Sequence, residues 1–421
     1  MDASLPRLTA AQAAARLGVQ QQTLYAYVSR GLLSRERGAH GSTFDALEVE
    51  RFASSRRRSS RGAPVDASAT ASGSPLMVLD TDIALIEDGE LYLRGMPAAE
   101  LPLEYSYESV ARWLWGAPLE ASAAAFATDV SAVEAARAAV AALAPEAALL
   151  DRIQVAVPVL GASDPTRHDL DPDAVRGAAE RLVGGVVEAL AKQAGPPAGI
   201  AAQLWQGLAG RPGTVAEVRA LNAALVLLVD HDLAVSTLAA RAGASARATP
   251  YAVVSSGLGA LDSALHGNAS GAACELIRLV LDGADARTAL AQTVARTARP
   301  APGFGHSLYS GIDARAGILL PLVAELPGGS AVADAVDRLA AEVLSRTGRH
   351  PNVDLALAAL TISAGMPSDA GAAIFAIGRT AGWIAHALDE YGQRPLRLRP
   401  RGRYVGPDAG TPAGARPPSD E

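Results

Sequence analysis

The sequence predicts an all-α protein of two or three domains, and three observations support this. Hydrophobic residues make up 49% of the 421 residues but aromatic residues only 4%, so alanine, leucine and valine must fill the core, which favours close-packed helices over sheets. Apolar residues recur at three- and four-residue spacing through most of the chain, and Gly- and Pro-rich stretches separate these segments. The length exceeds what one ordinary core supports.

Residues 1–53 are predicted to form a small helix-turn-helix domain. Thr9 begins an amphipathic helix in AAQAAARL, Gly18-Val19 makes a turn, and QQTLYAYVSRGLL forms a second helix. RERGAHGSTF is typical of a hairpin or wing, and DALEVERFASSRRR predicts a third helix that begins at Asp45. This order resembles the MerR-type winged helix-turn-helix.

Such a domain would place its second helix in a major groove of DNA. The side chains expected near base edges are Gln21, Gln22, Thr23 and Tyr25, and those expected near phosphates are Arg30, Arg35 and Arg37. The first 62 residues carry ten arginines against five acidic residues, whereas the whole chain has a net charge of −7. A helical docking module with solvated arginines explains the same pattern, so both interpretations stay open here.

Two segments have compositions that cannot bury a core. Residues 54–75 combine Ser, Ala, Pro and Gly with an Arg cluster and predict a flexible linker, and residues 408–421 predict a disordered tail. The body between them begins with TDIALIEDGELYLRG, in which apolar and polar residues alternate around Asp88-Gly89. This alternation predicts a short β-hairpin at the entrance of the helical body.

Several classes of protein are disfavoured. No uninterrupted apolar run of 18 residues predicts a membrane span, and MDASLPRLTA lacks the pattern of a signal peptide. Cys274 is the single cysteine, which excludes an intrachain disulfide and a cysteine-based zinc site and fits a cytoplasmic location. Neither GxGxxG nor GxxxxGK[ST] occurs, and the histidines lack metal-site spacing, so we expect no metal and no permanently bound cofactor.

Four polar segments interrupt the apolar body. His231 lies in LVDHDLAVST, His266 in LHGNAS, His306 in GFGHSLYSGIDAR and Asp354 in PNVD. Taken singly, each has an ordinary structural explanation: a hydrogen-bonded core histidine, or an aspartate in the first turn of a helix. Taken together with Arg315, Arg379 and Arg399, they are the groups needed for acid–base chemistry on a small polycarboxylate. Arginines hold carboxylates, histidines donate to carbonyl oxygens, and an aspartate removes a proton.

The ordered motifs resemble those of the citrate synthase family from about Leu76 to Pro407. They are DTDIALIEDGELYLRGMPAAEL, LVDHDLAVST, LHGNAS, GFGHSLYSGIDARA, PNVD, GRTAGWIAHALDE and RPRGRYVGP. A basic winged helix-turn-helix in front of such a body also occurs in a bacterial branch of that family. The resemblance implies a large helical domain at 76–266 and 373–407 and a small helical domain at 267–372 that closes over it.

The resemblance also implies an activity, the condensation of acetyl-CoA with oxaloacetate and water to give citrate and CoA. Asp354 would take the methyl proton, His266 would stabilise the enol, and His306 would polarise the ketone. The groups implied to hold oxaloacetate carboxylates are His231, Arg315, Arg379 and Arg399. The implied CoA-binding loop contains Pro302, Gly303, Phe304 and Gly305. Arg399 matches an arginine that the family supplies from the partner subunit, which implies a homodimer.

Alternatives remain within and beyond this activity. A variant that accepts propionyl-CoA would make 2-methylcitrate, and a DNA-binding regulator would use the same body to sense a CoA ester or a dicarboxylate. The chain departs from the family pattern at Leu228, where a histidine is usual, at Ser307, where an arginine is usual, and at Ala314, where a proline is usual. These departures bear on substrate choice and CoA contacts.

Overall fold

A computed structural model describes residues 6–38, 41–59, 78–121, 123–191, 199–263, 269–297 and 300–404. The elements of the N-terminal module are β1 (Arg7–Thr9), α1 (Ala10–Leu17), α2 (Gln21–Ser29), β2 (Glu36–Gly38), β3 (Gly41–Asp45) and α3 (Ala46–Ser59). Its strands form an antiparallel sheet in the order β1-β3-β2. Two helices, a strand pair and a third helix follow one another as predicted.

Local signals in the sequence explain the first helix of this module. Thr9 accepts a hydrogen bond from the backbone of Gln12, whose side chain accepts one from the backbone of Thr9, so both ends of a capping box are present. Gly18 ends the helix in the left-handed region at φ 63°. The third helix runs to Ser59, which agrees with the helix that DALEVERFASSRRR predicts, so residues 54–59 are helical although the composition also placed them in the linker. Arginine is a good helix former, which favours this continuation.

A second antiparallel sheet opens the body with β4 (Ala84–Glu87), β5 (Glu90–Leu93) and β6 (Met96–Pro97) in that order. Asp88 and Gly89 connect the first two strands at φ 52° and 84°, as a two-residue hairpin turn requires. Leu91 and Leu93 are buried. The predicted hairpin is therefore confirmed, with a third strand added.

The rest of the described body is helical. Its helices are α4 (Leu101–Glu104), α5 (Tyr107–Leu114), α6 (Val130–Ala141), α7 (Leu149–Ser163), α8 (Pro172–Leu190), α9 (Ile200–Ala209), α10 (Val215–Leu227), α11 (Val235–Ser245), α12 (Pro250–Leu261), α13 (Ala269–Leu281), α14 (Ala286–Thr297), α15 (Ala314–Ala324), α16 (Gly329–Thr347), α17 (Val353–Ser363) and α18 (Ala370–Gly392). Within the described ranges, none of the helices has the length and apolar character needed to cross a membrane.

Two helices organise the packing of the body. Helix α18 is apolar nearly all round and packs against α5, α7, α8, α10, α11 and α12. Helix α17 is also apolar on most sides and packs against α13, α15 and α16. The predicted boundary at residue 373 falls in the first turn of α18. The division into large and small domains stays a prediction.

Candidate active site

The site is built on two chain segments that are joined by their backbones. Gly305 N donates to His350 O at 2.8 Å, and Asn352 N donates to Gly303 O at 2.9 Å. The Asn352 side chain also donates to Gly305 O at 3.0 Å. The Gly-Phe-Gly loop and the segment before α17 therefore form one unit, which carries His306 on one side and Asp354 on the other.

Both glycines of this loop have backbones that other residues rarely adopt, with φ 81° at Gly303 and 82° at Gly305. A Cβ on Gly303 would lie 2.8 Å from Leu355, and one on Gly305 would lie 3.0 Å from Arg349. Phe304 is buried and forms a β-bridge with Pro351. The loop predicted to bind CoA thus packs tightly against the N-terminal end of α17.

His306 is held as a neutral imidazole. Burial, together with the charge of Arg315, lowers the pKa of His306 to about 4. Its Nδ1 accepts a hydrogen bond from Leu308 N at 3.1 Å, so the proton of the neutral ring resides on Nε2. The ring can therefore donate one hydrogen bond from Nε2 to a carbonyl oxygen.

His231 contacts this ring directly. The two imidazole centroids lie 4.9 Å apart in an edge-to-face arrangement, and His231 Nε2 lies 2.9 Å from the Tyr309 hydroxyl oxygen. Burial and the charge of Arg315 hold the pKa of His231 well below its usual value. The apolar residues on both sides of Asp230-His231-Asp232 predict one helix that these residues interrupt, whereas α10 ends at Leu227 and His231 lies in the loop before α11.

Arg315 is paired with Asp313 at the start of α15. Its Nε and Nη2 donate to the two carboxylate oxygens of Asp313 at 3.0 and 2.8 Å. Asp313 also accepts from the backbone N of Arg315 as the N-cap of α15, and from Val353 N at 3.1 Å. This pairing keeps the pKa of Asp313 below its ordinary value despite burial. Arg315 Nη1 makes no hydrogen bond within the described part of the chain.

Asp354 lies in the first turn of α17, whose N-cap is Asn352. Burial raises the pKa of its carboxyl group to about 6; the charge of Arg315 opposes the rise, and that of Asp313 adds to it. Such a carboxylate is a stronger base than an ordinary aspartate and is still mostly ionised at neutral pH.

Arg379 projects from α18 and is almost fully buried. Its Nε donates to Leu228 O at 2.8 Å, and its guanidinium lies 4.7 Å from the ring centroid of Phe375. Burial lowers the pKa of Arg379 to about 10, so the group is cationic at neutral pH. Leu228, where a histidine was expected from the resemblance, orients Arg379 through its backbone rather than its side chain.

A single positive charge connects these groups. Arg315 influences the pKa values of His231, His306, Asp354 and Arg379. The tertiary structure therefore brings five predicted site residues from four separate segments of the sequence into one electrostatic neighbourhood. Among the described residues, no three His, Cys, Asp or Glu side chains are grouped so that they could hold a metal ion.

Two further predicted site residues are the histidine and the arginine expected at 266 and 399. His266 lies outside the described residues. Arg399 is exposed and forms no ion pair with a carboxylate in the described part of the chain. Two departures from the family pattern also have defined positions: Ser307 is exposed, and Ala314 is the first residue of α15.

Sequence reasoning assigned no role to three residues that shape the site. Asp313 pairs with Arg315, Tyr309 contacts His231, and Asn352 ties the two segments together. Asn352 could have been found, because an asparagine two residues before the first-turn aspartate is a helix-start signal. Nothing in the local sequence distinguishes Tyr309.

Comparisons with known proteins agree on one family. The model of "Citrate synthase, C-terminal domain" matches residues 74–401. Citrate synthase 2 of Bacillus subtilis is 30% identical over 270 residues, which are 61% of this chain and 72% of the relative. The 2-methylcitrate synthase of Mycobacterium tuberculosis is 29% identical over 340 residues, which are 76% of this chain and 86% of the relative.

Solved structures show the same fold. Citrate synthase of Thermoplasma acidophilum, in a ternary complex with carboxymethyl coenzyme A and oxaloacetate, has a TM-score of 0.68 at 23% identity and covers 79% of this chain and 95% of its own. Citrate synthase of Thermotoga maritima has a TM-score of 0.65 at 24% identity and covers 82% and 98%. The family match begins at residue 74, so the N-terminal module lies outside it.

Proposed function

The chain belongs to the citrate synthase family, and from that premise we propose that it condenses acetyl-CoA with oxaloacetate and water to give citrate and CoA. The observation that carries the proposal is the cluster around Arg315. It combines a neutral histidine donor, a carboxylate of raised basicity and buried cations within one site. These are the groups that the condensation of a thioester with a 2-oxo dicarboxylate requires.

Asp354 is proposed as the base that removes a methyl proton from acetyl-CoA. A thioester methyl group is a very weak acid, so its proton leaves only if the developing negative charge on the carbonyl oxygen is stabilised at the same moment. His266 is proposed to donate that hydrogen bond, on the strength of the family resemblance. The raised pKa of Asp354 reduces the difference between the pKa of the base and that of the thioester methyl group, which makes the proton transfer less unfavourable.

His306 is proposed to polarise the ketone of oxaloacetate through its Nε2 proton. The enol carbon then forms a carbon–carbon bond with the ketone carbon, and the ketone oxygen takes the Nε2 proton of His306 and becomes a hydroxyl group. Water cleaves the resulting thioester to citrate and CoA. A buried site favours this order of reaction steps, because it strengthens the hydrogen bonds and limits hydrolysis of acetyl-CoA before condensation.

The carboxylates of oxaloacetate are proposed to meet His231, Arg315 and Arg379. Arg315 can offer Nη1, since Asp313 occupies its Nε and Nη2. Arg379 is fixed through its Nε, which leaves its terminal nitrogens as donors. The loop from Pro302 to Gly305 is proposed to contact CoA.

The decisive experiment measures thiol release from acetyl-CoA in the presence of oxaloacetate. Wild-type protein should release CoA only when both substrates are present, and Asp354→Ala should abolish release. Equal release by the two proteins would refute the proposed activity. Mass spectrometry of the product should give citrate.

Propionyl-CoA is the second candidate acyl donor. The 2-methylcitrate synthase of Mycobacterium tuberculosis is similar to this chain over 86% of its own length. The same assay with acetyl-, propionyl- and butyryl-CoA ranks the acyl groups. A higher kcat/KM for propionyl-CoA would make 2-methylcitrate the principal product.

Arg399 is proposed to complete the site of the partner subunit in a homodimer. The test mixes two inactive variants, Arg399→Ala and His306→Ala, after reversible dissociation. If Arg399 acts across the interface, each mixed dimer contains one wild-type site, and activity should recover to about a quarter of that of the native dimer. If Arg399 serves its own subunit, mixing restores nothing.

The N-terminal module is proposed to be a winged helix-turn-helix that binds DNA. The observation in its favour is the exposure of Gln21, Gln22 and Tyr25 on α2 and of Arg30 at its C-cap, together with the exposed arginines of the adjoining loop and strand. Selection from a random duplex pool at low salt should yield a site with two half-sites, and Arg30→Ala should weaken its binding. Absence of binding at low salt would leave docking as the role of the module.

We propose a cytoplasmic location, in line with the single, buried Cys274.

A further inference from the structure

The N-terminal module packs against helices that carry the candidate site. Helix α3 of the module lies against α14 and α16, and strand β1 also contacts α14. Helix α16 ends at Thr347, and Gly348 turns the chain at φ 66°. Arg349 follows at once, only five residues before Asp354.

Glu50 of α3 is the charged residue at this contact. Its side chain is 2% exposed, and it forms ion pairs with two arginines. Arg16, on helix α1 of the module, donates to Glu50 Oε2 through its Nε at 2.7 Å. Arg349 donates from Nη1 to Glu50 Oε1 at 3.4 Å. The carboxylate thus joins the first helix of the module to the body.

Arg349 also packs against the loop that carries His306. The Cβ that an alanine would add at Gly305 would lie 3.0 Å from Arg349 Cδ and 3.3 Å from its Cγ. His350, the residue after Arg349, accepts a hydrogen bond at its carbonyl oxygen from the backbone N of Gly305 at 2.8 Å. A shift of the Arg349 side chain therefore changes the packing of Gly305, the residue that precedes His306.

We propose that Arg349 is a positioning residue for the condensation, and that its ion pair with Glu50 makes the alignment of His306 depend on the N-terminal module. The inference rests on the proposed function. The module is then a working part of the enzyme, because the chain of contacts from Arg16 through Glu50 and Arg349 ends at the loop of the candidate site.

The test uses the full chain, three single variants and one double variant. Arg349→Gln should lower kcat about tenfold and leave the KM for both substrates within about twofold, because it misaligns a donor without removing a substrate contact. Arg349→Lys, which keeps the positive charge, should restore most of the activity. Glu50→Gln should reproduce the loss, and Arg349→Gln should have no further effect in its presence.

Arg346→Gln is the matched control. Arg346 lies one turn earlier, near the end of α16, and pairs with Glu342 of the same helix. Its removal should leave kcat unchanged. Additive effects of Glu50→Gln and Arg349→Gln, or an equal loss in Arg346→Gln, would overturn the inference.

Hydrogen exchange of the peptide that covers residues 303–308 gives a readout that does not need activity. It should become about tenfold faster in Arg349→Gln and in Glu50→Gln, with the midpoint of global unfolding recorded alongside. An inactive wild-type protein with faster exchange in both variants would refute the proposed function but still support the coupling of the N-terminal module to the loop of His306 through Glu50 and Arg349. Unchanged exchange in both variants overturns the inference, whether or not the wild-type protein is active.

Discussion

His231 Nε2 lies 2.9 Å from the hydroxyl oxygen of Tyr309, and both rings also face His306. The tyrosine therefore sets the orientation of a histidine that is proposed to hold a carboxylate of oxaloacetate. Burial holds the pKa of His231 well below its usual value. The hydrogen bond thus joins two neutral groups, and its net worth is about 1 kcal/mol.

Tyr309→Phe should raise the KM for oxaloacetate about fivefold and leave kcat nearly unchanged, since it weakens the support of a binding group. Steady-state kinetics with oxaloacetate as the varied substrate measures both values. Tyr391→Phe is the control, because it also loses a hydrogen bond, but to Ala248 O. A tenfold fall in kcat with an unchanged KM would contradict the proposed role of Tyr309.

The pH dependence of condensation should report Asp354. The base must be ionised, and its pKa is about 6, so kcat/KM should fall about tenfold for each pH unit below 6 and level off above it. His306, with a pKa of about 4, stays neutral from pH 5 to 8 and therefore does not change the shape of the pH profile. A profile that is flat from pH 5 to 8 would exclude Asp354 as the base.

The raised pKa of Asp354 also has a consequence for stability. The native state binds this proton more tightly than the unfolded chain, in which the pKa is about 3.8, so stability is lost as pH rises from about 4 through 6. At pH 7 the cost is up to about 3 kcal/mol. Asp354→Asn should therefore be inactive yet more stable at pH 7 by an amount of that order, with the difference vanishing near pH 4.

Urea unfolding at the two pH values measures this effect. Asp334→Asn, at an exposed position of α16, is the control and should leave stability nearly unchanged. If Asp354→Asn were less stable than wild type at pH 7, the surroundings would stabilise the ionised carboxylate, which would contradict a raised pKa.

Gly303 and Gly317 form a matched pair for the loop proposed to bind CoA. Gly303→Ala combines a positive φ with a Cβ only 2.8 Å from Leu355, so it should cost about 2 kcal/mol of stability and raise the KM for acetyl-CoA. Gly317→Ala lies inside α15 with open space around the new Cβ and should add about 0.5–1 kcal/mol. Equal effects of the two substitutions on stability would contradict the close packing of the loop.

Much of the local structure could be predicted because its causes are local. The Thr9 capping box, the Asp88-Gly89 turn and the apolar periodicity act over a few residues, and the structure confirms the elements that they predict. The family resemblance supplied the candidate site residues, and five of them interact electrostatically or by ring contact: His231, His306, Arg315, Asp354 and Arg379. His266 and Arg399 stay predictions, because one lies outside the described residues and the other awaits a partner subunit.

The sequence by itself determined most of the helical segments and which residue types could perform a condensation. Only the tertiary structure decided what those residues are chemically, because the pKa of a buried group depends on neighbours distant in the chain. Asp354 gains its basicity from burial, His306 stays neutral beside Arg315, and Arg349 meets Glu50 across 299 positions. Local periodicity contains no record of such contacts, since they form only when the helices that carry them pack together.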